Sequence, residues 1–218
     1  MHARRPQALR KLYLAEALIP RLQPLLKWCV GNRVGYRVVG EGDLNKLAAT
    51  THHEGVVADE AGVRAVHLAA FDGPDEAALV DRLRGSTYPY VSLVAVDKGR
   101  IVGHILFTPV LLPGHPRARL MGLAPMAVLP DYQRSGVGSA LVEAGLDAAR
   151  QAGAGAVVVL GHPAYYPRFG FVPASRHGIA CPYDAPDEAF MIVPLMPGHL
   201  AGLAGTVEYH AAFAEVTP

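Results

Sequence analysis

The fold is decided by the stretch Leu123-Ala-Pro-Met-Ala-Val-Leu-Pro-Asp-Tyr-Gln-Arg-Ser-Gly-Val-Gly138. Here an apolar run ends in a Pro-Asp turn, a short glycine loop follows, and an amphipathic helix begins. Apolar residues recur at helical spacing along that helix, and Gly153 lies just past the last of them, where helices commonly end. A second apolar run, Ala156-Val-Val-Val-Leu160, comes next. The sequence therefore predicts a strand, a glycine loop, a helix and a second strand.

The start of this helix is a predicted anion site. Its first backbone N–H groups have no intrahelical partner, and the helix dipole adds partial positive charge. Gly136 and Gly138 carry no side chain that would keep a phosphate away from those amides. Two common phosphate loops are excluded. In a Walker loop the last glycine is followed by Lys and then Ser or Thr, but Gly138 is followed by Ser139 and an alanine. A dinucleotide fingerprint has a third small residue three positions after its second glycine, and here that residue is Leu141.

Two motifs in this unit resemble one enzyme superfamily. Gln133, Gly136 and Gly138 match the pyrophosphate loop Q/R-x-x-G-x-G/A of the GNAT superfamily of acetyl-CoA-dependent N-acetyltransferases. One strand downstream, Tyr165-Tyr166-Pro-Arg-Phe-Gly-Phe171 is similar to the aromatic-Tyr pair and Gly-Phe of that superfamily. The longer run from Val159 to Val172 resembles the YhbS-like branch. The resemblance extends from Gly62 to the C-terminus.

The resemblance implies an α/β fold of the GNAT type. Its sheet is mixed and mostly antiparallel, with six or seven strands, helices on both faces and a cleft where two central strands part. The residues support this architecture independently. The runs 91–96 and 101–107 read as a β-hairpin, preceded by helices over 59–71 and 76–83. Pro125 lies inside the strand over 120–129 and cannot donate to a neighbour, so a bulge or splay is expected there.

The implied chemistry is attack of a primary amine of a small molecule or protein on acetyl-CoA in a ternary complex. The loop amides would anchor the pyrophosphate, the strand before the loop would pair with the pantetheine arm, and an N–H near Val128 would serve the oxyanion. Tyr166 aligns with the tyrosine that protonates the leaving thiolate, and Tyr165 is expected to pack in the core. The predicted cofactor-binding residues are Met126, Ala127, Val128, Gln133, Arg134, Ser135, Gly136, Val137, Gly138 and Ser139.

The general base stays open at this point. Many relatives in the superfamily use a glutamate on the strand before the loop, but residues 120–129 contain no acid. His104, His162 and Asp72 are the candidates for a base or for the acceptor site. Each has a structural alternative, a core histidine or a turn cap. The missing acid also keeps a second function open, a non-catalytic acyl-CoA-binding regulatory module.

Composition limits the possible partners. The chain has 218 residues, 51% of them apolar, and a net charge of +1, which predicts a globular domain without a general attraction to nucleic acid. Residues 1–50 hold nine basic and three acidic residues, and residues 51–218 hold 11 and 16. We therefore predict a basic N-terminal extension over 1–50 and an N-acetyltransferase domain over 51–218. A cytoplasmic protein with two free cysteines, no metal and no membrane partner is expected, and a homodimer is left open.

Overall fold

The computed structural model describes residues 34–38, 54–87 and 89–216, with only the backbone for 34–38 and 54–59. The helices are α1 (Glu54–Ala70), α2 (Asp75–Ser86) and α3 (Val137–Gln151). The strands are β1 (Val34–Val38), β2 (Val91–Asp97), β3 (Arg100–Val110), β4 (Leu120–Val128), β5 (Ala156–Leu160), β6 (Val172–Pro173), β7 (Ile179–Ala180), β8 (Phe190–Pro194) and β9 (Gly205–Thr206). The hairpin and the strand–loop–helix–strand unit are where the sequence predicted them.

Seven strands form the main sheet, in the order β1-β2-β3-β4-β5-β8-β6. Neighbouring strands are antiparallel except for β4 and β5, which run parallel. Strands β7 and β9 make a separate parallel pair. This is the mixed, mostly antiparallel sheet that was expected, so the predicted fold class is confirmed.

Helices cover both faces of the sheet, as adjacent residues of β3 show. His104 faces α1, where its ring is hydrogen-bonded to His67. The preceding residue, Gly103, faces α3: a Cβ placed on it would lie 3.0 Å from Leu141 and 3.1 Å from Val137. Because successive strand residues point to opposite faces, α1 and α3 lie on opposite sides of the sheet.

The central strands part as Pro125 predicted. Strands β4 and β5 are paired only over Leu120–Gly122 on the β4 side. Just beyond, Ala124 and Pro125 together oppose a single β3 residue, Leu106, which is a β-bulge. The carboxyl-terminal half of β4 therefore bends away from β5 and leaves a cleft between them.

Two local expectations from the sequence differ from the structure. The helix expected between Pro163 and Gly170 is a single 3₁₀ turn, Tyr166–Phe169, although Gly170 ends it with a φ of +87° as expected. The segment 31–55, whose mixed composition predicts a linker, contains β1, which pairs with β2. The remainder of the extension, including its leucine-rich basic stretch, lies outside the described residues. After β9 the chain forms a 3₁₀ helix, Ala211–Glu215.

Across 54–87 and 89–216, none of the helices combines the length and the apolarity that a membrane crossing requires.

Packing of α3 on the sheet leaves no room at Gly145. A Cβ there would lie 2.2 Å from Cε2 of Phe107, which is fully buried. Gly145→Ala should therefore lower the free energy of unfolding by about 1 kcal/mol or more, since overpacking outweighs the gain in helix propensity. Gly85→Ala in α2 is the matched control, because nothing lies within 4 Å of its Cβ position. Urea denaturation should show the control equal to or more stable than wild type; a stabilised Gly145→Ala would contradict this packing.

Candidate functional site

The glycine loop connects β4 to α3 with a backbone that only certain residues adopt easily. Gly136 has a φ of +93° at the N-cap of α3, and Arg134 has a φ of +58°. Ser135 donates from its hydroxyl to the carbonyl oxygen of Tyr132 at 2.5 Å. Gln133 donates from its side-chain amide to the carbonyl oxygen of Val128 at 3.1 Å. The loop is thereby tied to the end of β4 while the first N–H groups of α3 face outward from its start.

Gly138 lies where the loop, β4 and a tyrosine meet. A Cβ on Gly138 would lie 3.0 Å from the hydroxyl oxygen of Tyr165, 3.7 Å from Val128 and 3.9 Å from Met126. A side chain at position 138 would therefore fill the space between the glycine loop and the end of β4, which we call the passage. The structure thus brings the predicted loop residues and the predicted strand residues to one place.

The exposed half of β4 offers backbone groups to the cleft. Met126 and Val128 are half-buried, whereas the side chain of Ala127 between them is buried. The N–H of Leu129 bonds to Val102 on β3. Since backbone groups alternate in direction along a strand, the N–H groups of Val128 and Met126 point the other way, toward the cleft.

Tyr166 is buried, with 7% of its surface exposed, and Cε2 of its ring lies 2.5 Å from the Cβ position of Gly161, just after β5. Its ring packs against Phe171, with centroids 5.5 Å apart, and against Tyr165 at 5.1 Å. Burial, and secondarily Tyr165, raises the pKa of Tyr166 to about 12. Within the described part of the chain, no residue forms a hydrogen bond with its hydroxyl. The phenol is therefore protonated at neutral pH and free to donate to a ligand.

Tyr165 packs against the main hydrophobic core, as expected. It is only half-buried, and its hydroxyl lies beside Gly138 at the mouth of the passage. The guanidinium of Arg168 lies 4.3 Å above its ring centroid. The two adjacent tyrosines thus take separate positions, Tyr165 at the loop and Tyr166 deeper in. Helical periodicity did not find this, because the segment is a 3₁₀ turn.

The candidate bases are not brought together. His104 is fully buried and both of its ring nitrogens are engaged, Nδ1 with His67 at 2.8 Å and Nε2 with Ser92 at 2.9 Å. His162 and Asp72 are both exposed. Among the described residues, no group of three or more His, Cys, Asp or Glu side chains is arranged to hold a metal ion.

His104 belongs to a buried polar chain that the sequence analysis missed. Arg84 donates to the hydroxyl of Ser92 at 2.7 Å, next to the two histidines. Burial, and then Arg84, lowers the pKa of His67 to about 4. Burial, His67 and Arg84 together hold the pKa of His104 well below its usual range. Both histidines are therefore neutral in the folded protein at physiological pH.

Comparison with known proteins identifies the family. The model of the acetyltransferase (GNAT) family matches residues 61–171. The chain is 38% identical to the N-acetyltransferase YhbS of Escherichia coli (strain K12) over 156 residues, which are 71% of this chain and 93% of the relative. The chain belongs to the GNAT acetyltransferase family. The expected YhbS-like branch is confirmed, as is the assignment as an N-acetyltransferase.

Solved structures of this family agree with the fold. The crystal structure of YhbS from Escherichia coli in complex with CoA has a TM-score of 0.71 at 34% identity, over 83% of this chain and 92% of that one. A GNAT family acetyltransferase from Brucella melitensis, in complex with acetyl-CoA, has a TM-score of 0.61 at 32% identity, over 82% and 98%. Both relatives thus bind the cofactor that the glycine loop predicts here.

The N-terminal segment is similar to a different kind of protein. Residues 2–64 match the model of RNA 2'-O ribose methyltransferase substrate binding. The tRNA/rRNA methyltransferase YfiF of Escherichia coli O157:H7 is 38% identical over 52 residues, which are 24% of this chain and 15% of that protein. The matched range includes β1 and the first part of α1.

The neutral histidines give a prediction about stability. The unfolded chain binds protons below pH 6.5 and the folded chain does not until about pH 4, so stability should fall on acidification through this window. In this window the free energy of unfolding decreases by at most about 1.4 kcal/mol per pH unit for each histidine. His67→Gln keeps a polar partner for His104 and removes one titrating group, so urea denaturation between pH 7 and 4.5 should show a shallower slope. His162→Gln, at an exposed position, is the control. A slope unchanged in His67→Gln would contradict the assignment.

Proposed function

We propose that this protein transfers the acetyl group of acetyl-CoA to a primary amine of a small molecule or protein, by direct attack in a ternary complex. Two observations carry the proposal: the cleft that opens between β4 and β5 beyond Gly122, and the protonated Tyr166, whose ring packs on Gly161 just after β5. CoA or acetyl-CoA bound to the two relatives supports the same cofactor here. The acetyl group would lie in the cleft that opens beyond Gly122.

Cofactor binding would use three parts of the site. The first N–H groups of α3 and of the loop from Arg134 to Ser139 hold the pyrophosphate, and exposed Arg134 adds positive charge. The pantetheine arm passes Gly138 and pairs with the cleft-side groups of Met126–Val128 as an added strand. Tyr165 borders this passage, so it contacts the arm or the pyrophosphate.

The reaction then requires little of the protein beyond placement. The neutral amine nitrogen attacks the thioester carbon, and the oxyanion accepts a hydrogen bond from the cleft-side N–H of Val128. One such donor typically contributes about 3–4 kcal/mol to lowering the barrier. The C–S bond breaks and the thiolate takes the proton of Tyr166. The nitrogen loses its proton to solvent, from which Tyr166 is reprotonated, leaving an amide and free CoA.

The alternative, a non-catalytic acyl-CoA-binding module, would need the loop and β4 but no proton donor. The ring of Tyr166 is buried, but its hydroxyl is not one of the fully enclosed unpaired polar atoms of the described residues, so a ligand can reach a protonated donor there. Tyr166 therefore favours catalysis.

The two tyrosines provide a paired test. Tyr166→Phe keeps the ring and removes the proton donor, so the turnover number should fall roughly 10²–10⁴-fold while the KM for acetyl-CoA changes little. Tyr165→Phe removes a hydroxyl beside Gly138, so it should raise that KM a few-fold with a much smaller effect on turnover. Thiol release over a panel of primary amines measures both. Equal effects of the two variants, or full turnover in Tyr166→Phe, would exclude the assigned roles.

The N-terminal match supports a second function, RNA binding by residues 2–64. The sequence predicted no nucleic-acid partner from the net charge of +1, but that value hides the excess of basic residues in the first fifty. A tethered RNA-binding segment would bring the acetyltransferase to acceptors on RNA-containing assemblies.

RNA binding is tested on the full chain with a fluorescently labelled tRNA. Replacing Arg4, Arg5, Arg10 and Lys11 together by Ala should weaken binding at least 10-fold. The slope of log K against log salt should become shallower by roughly 0.9 for each phosphate that the protein no longer neutralises. The paired replacement of Lys98 and Arg100, exposed in the β2–β3 turn, is the control for loss of surface charge elsewhere. No binding by the wild type at low salt would overturn this function.

A further inference from the structure

Three aromatic rings contact one another in a row outside the cofactor-binding parts of the site. The rings of Tyr183 and Tyr209 have centroids 5.8 Å apart, and those of Tyr209 and Phe213 are 5.1 Å apart. They come from the loop after β7, the segment after β9 and the 3₁₀ helix near the C-terminus. We call Tyr183, Tyr209 and Phe213 the aromatic shelf.

The shelf rests on the sheet at the point where the strands part. Cε1 of Tyr209 lies 2.7 Å from the Cβ position of Gly122, so only a glycine admits the ring there. Gly122, opposite Val158, is the last residue through which β4 pairs with β5. The shelf therefore borders the closed end of the cleft.

The shelf also lies on the face of the sheet opposite α3. Phe107 points at Gly145 of α3, and its neighbour Thr108 pairs with Gly122, so Gly122 faces away from α3. The cofactor would enter from the loop and α3. An acceptor amine in a ternary complex must therefore reach the acetyl group from the other face, past the shelf.

Two large apolar side chains, one in the shelf and one at the end of β5, are exposed to solvent. Tyr183 is 43% exposed and Leu160, at the end of β5, is 42% exposed. Leu160 pairs with Phe190, which belongs to the hydrophobic cluster on the same face as the shelf. Tyr209 is partly buried against that cluster, whereas the ring of Tyr183 is accessible to a ligand.

The segment that carries Tyr183 has a net negative charge. The chain from Cys181 to Met191 contains three acids, Asp184, Asp187 and Glu188, all exposed, and no Lys, Arg or His. Burial raises the pKa of both Tyr183 and Tyr209, so their phenols remain neutral. A cationic amine is attracted to this segment, whereas an acceptor bearing a carboxylate is repelled.

We propose that the aromatic shelf, with Leu160, is the acceptor subsite, and that it selects primary amines carrying an aromatic or bulky apolar group. This inference rests on the proposed acetyl transfer and specifies its substrate class. The ring of the acceptor would stack on Tyr183 while its amino group extends toward the acetyl carbon.

The test compares 2-phenylethylamine with ethanolamine as acceptors at saturating acetyl-CoA, by thiol release. The wild type should prefer 2-phenylethylamine by at least about 10-fold in kcat/KM, the usual discrimination of an apolar pocket. Tyr183→Ala should reduce that ratio roughly 10-fold, because it removes the stacking ring. Tyr183→Phe keeps the ring and should retain the ratio. Leu160→Ala, from another element, should change the ratio in the same direction as Tyr183→Ala.

A binding measurement separates the failure of this inference from that of acetyl transfer. Calorimetric titration of 2-phenylethylamine into the CoA-bound protein should give a dissociation constant that Tyr183→Ala raises and Tyr183→Phe leaves alone. If 2-phenylethylamine binds and Tyr183→Ala weakens that binding, but no amine gives thiol release, the transfer function is overturned and the subsite stands. Equal kcat/KM for the two amines, or a ratio unchanged in Tyr183→Ala, would overturn the subsite while transfer stands. Neither release nor binding would overturn both.

Discussion

The structure depends on the early end of pairing between β4 and β5. Proline has no N–H to donate, and at Pro125 the β4 strand bulges against β3 instead of continuing in register. Beyond Gly122 the two parallel strands separate, although the sheet is continuous below that point. On the surface of a protein, an unpaired strand edge would promote pairing with other chains and aggregation. Here it supplies backbone donors and acceptors in the centre of the molecule, where an extended ligand can pair with them.

The two openings of this cleft have different chemistry because different elements line them. On the α3 side, the glycine loop and Tyr165 leave room for an anionic, extended group beside unpaired N–H groups. On the other side, Tyr209 packs on Gly122 and contacts Tyr183, whose segment carries exposed acids and no basic residue. An anion and an amine would therefore approach the same point from opposite faces, which suits a ternary complex better than two successive occupants of one pocket.

The buried polar chain of Arg84, Ser92, His104 and His67 has another role. It lies between the helices α1 and α2 and the sheet, and its members bond to one another. Burial, and after it the neighbouring charges of this chain, disfavour the protonated imidazoles, which explains the lowered pKa values of both histidines. Because His104 has no ring nitrogen left for a substrate, this chain joins the helices to the sheet and does not supply a base.

The sequence by itself determined the features that depend on neighbours along the chain. Helix and strand positions follow from periodicity, the bulge follows from the missing N–H of Pro125, and the anion site follows from glycines at a helix start. These effects are local, so residues a few positions apart suffice to predict them. The family resemblance added the fold and the role proposed for Tyr166.

Only the tertiary structure decided which distant residues meet. His67 and His104 are 37 positions apart, and their contact depends on how α1 packs on β3. Tyr183, Tyr209 and Gly122 come from three segments whose spacing carries no periodic signal. The same holds for β1, which pairs across a long connection, and for Tyr165, whose direction was set by a 3₁₀ turn rather than an α-helix. Such contacts arise from close packing between elements, and packing is not encoded in the order of residues within any one of them.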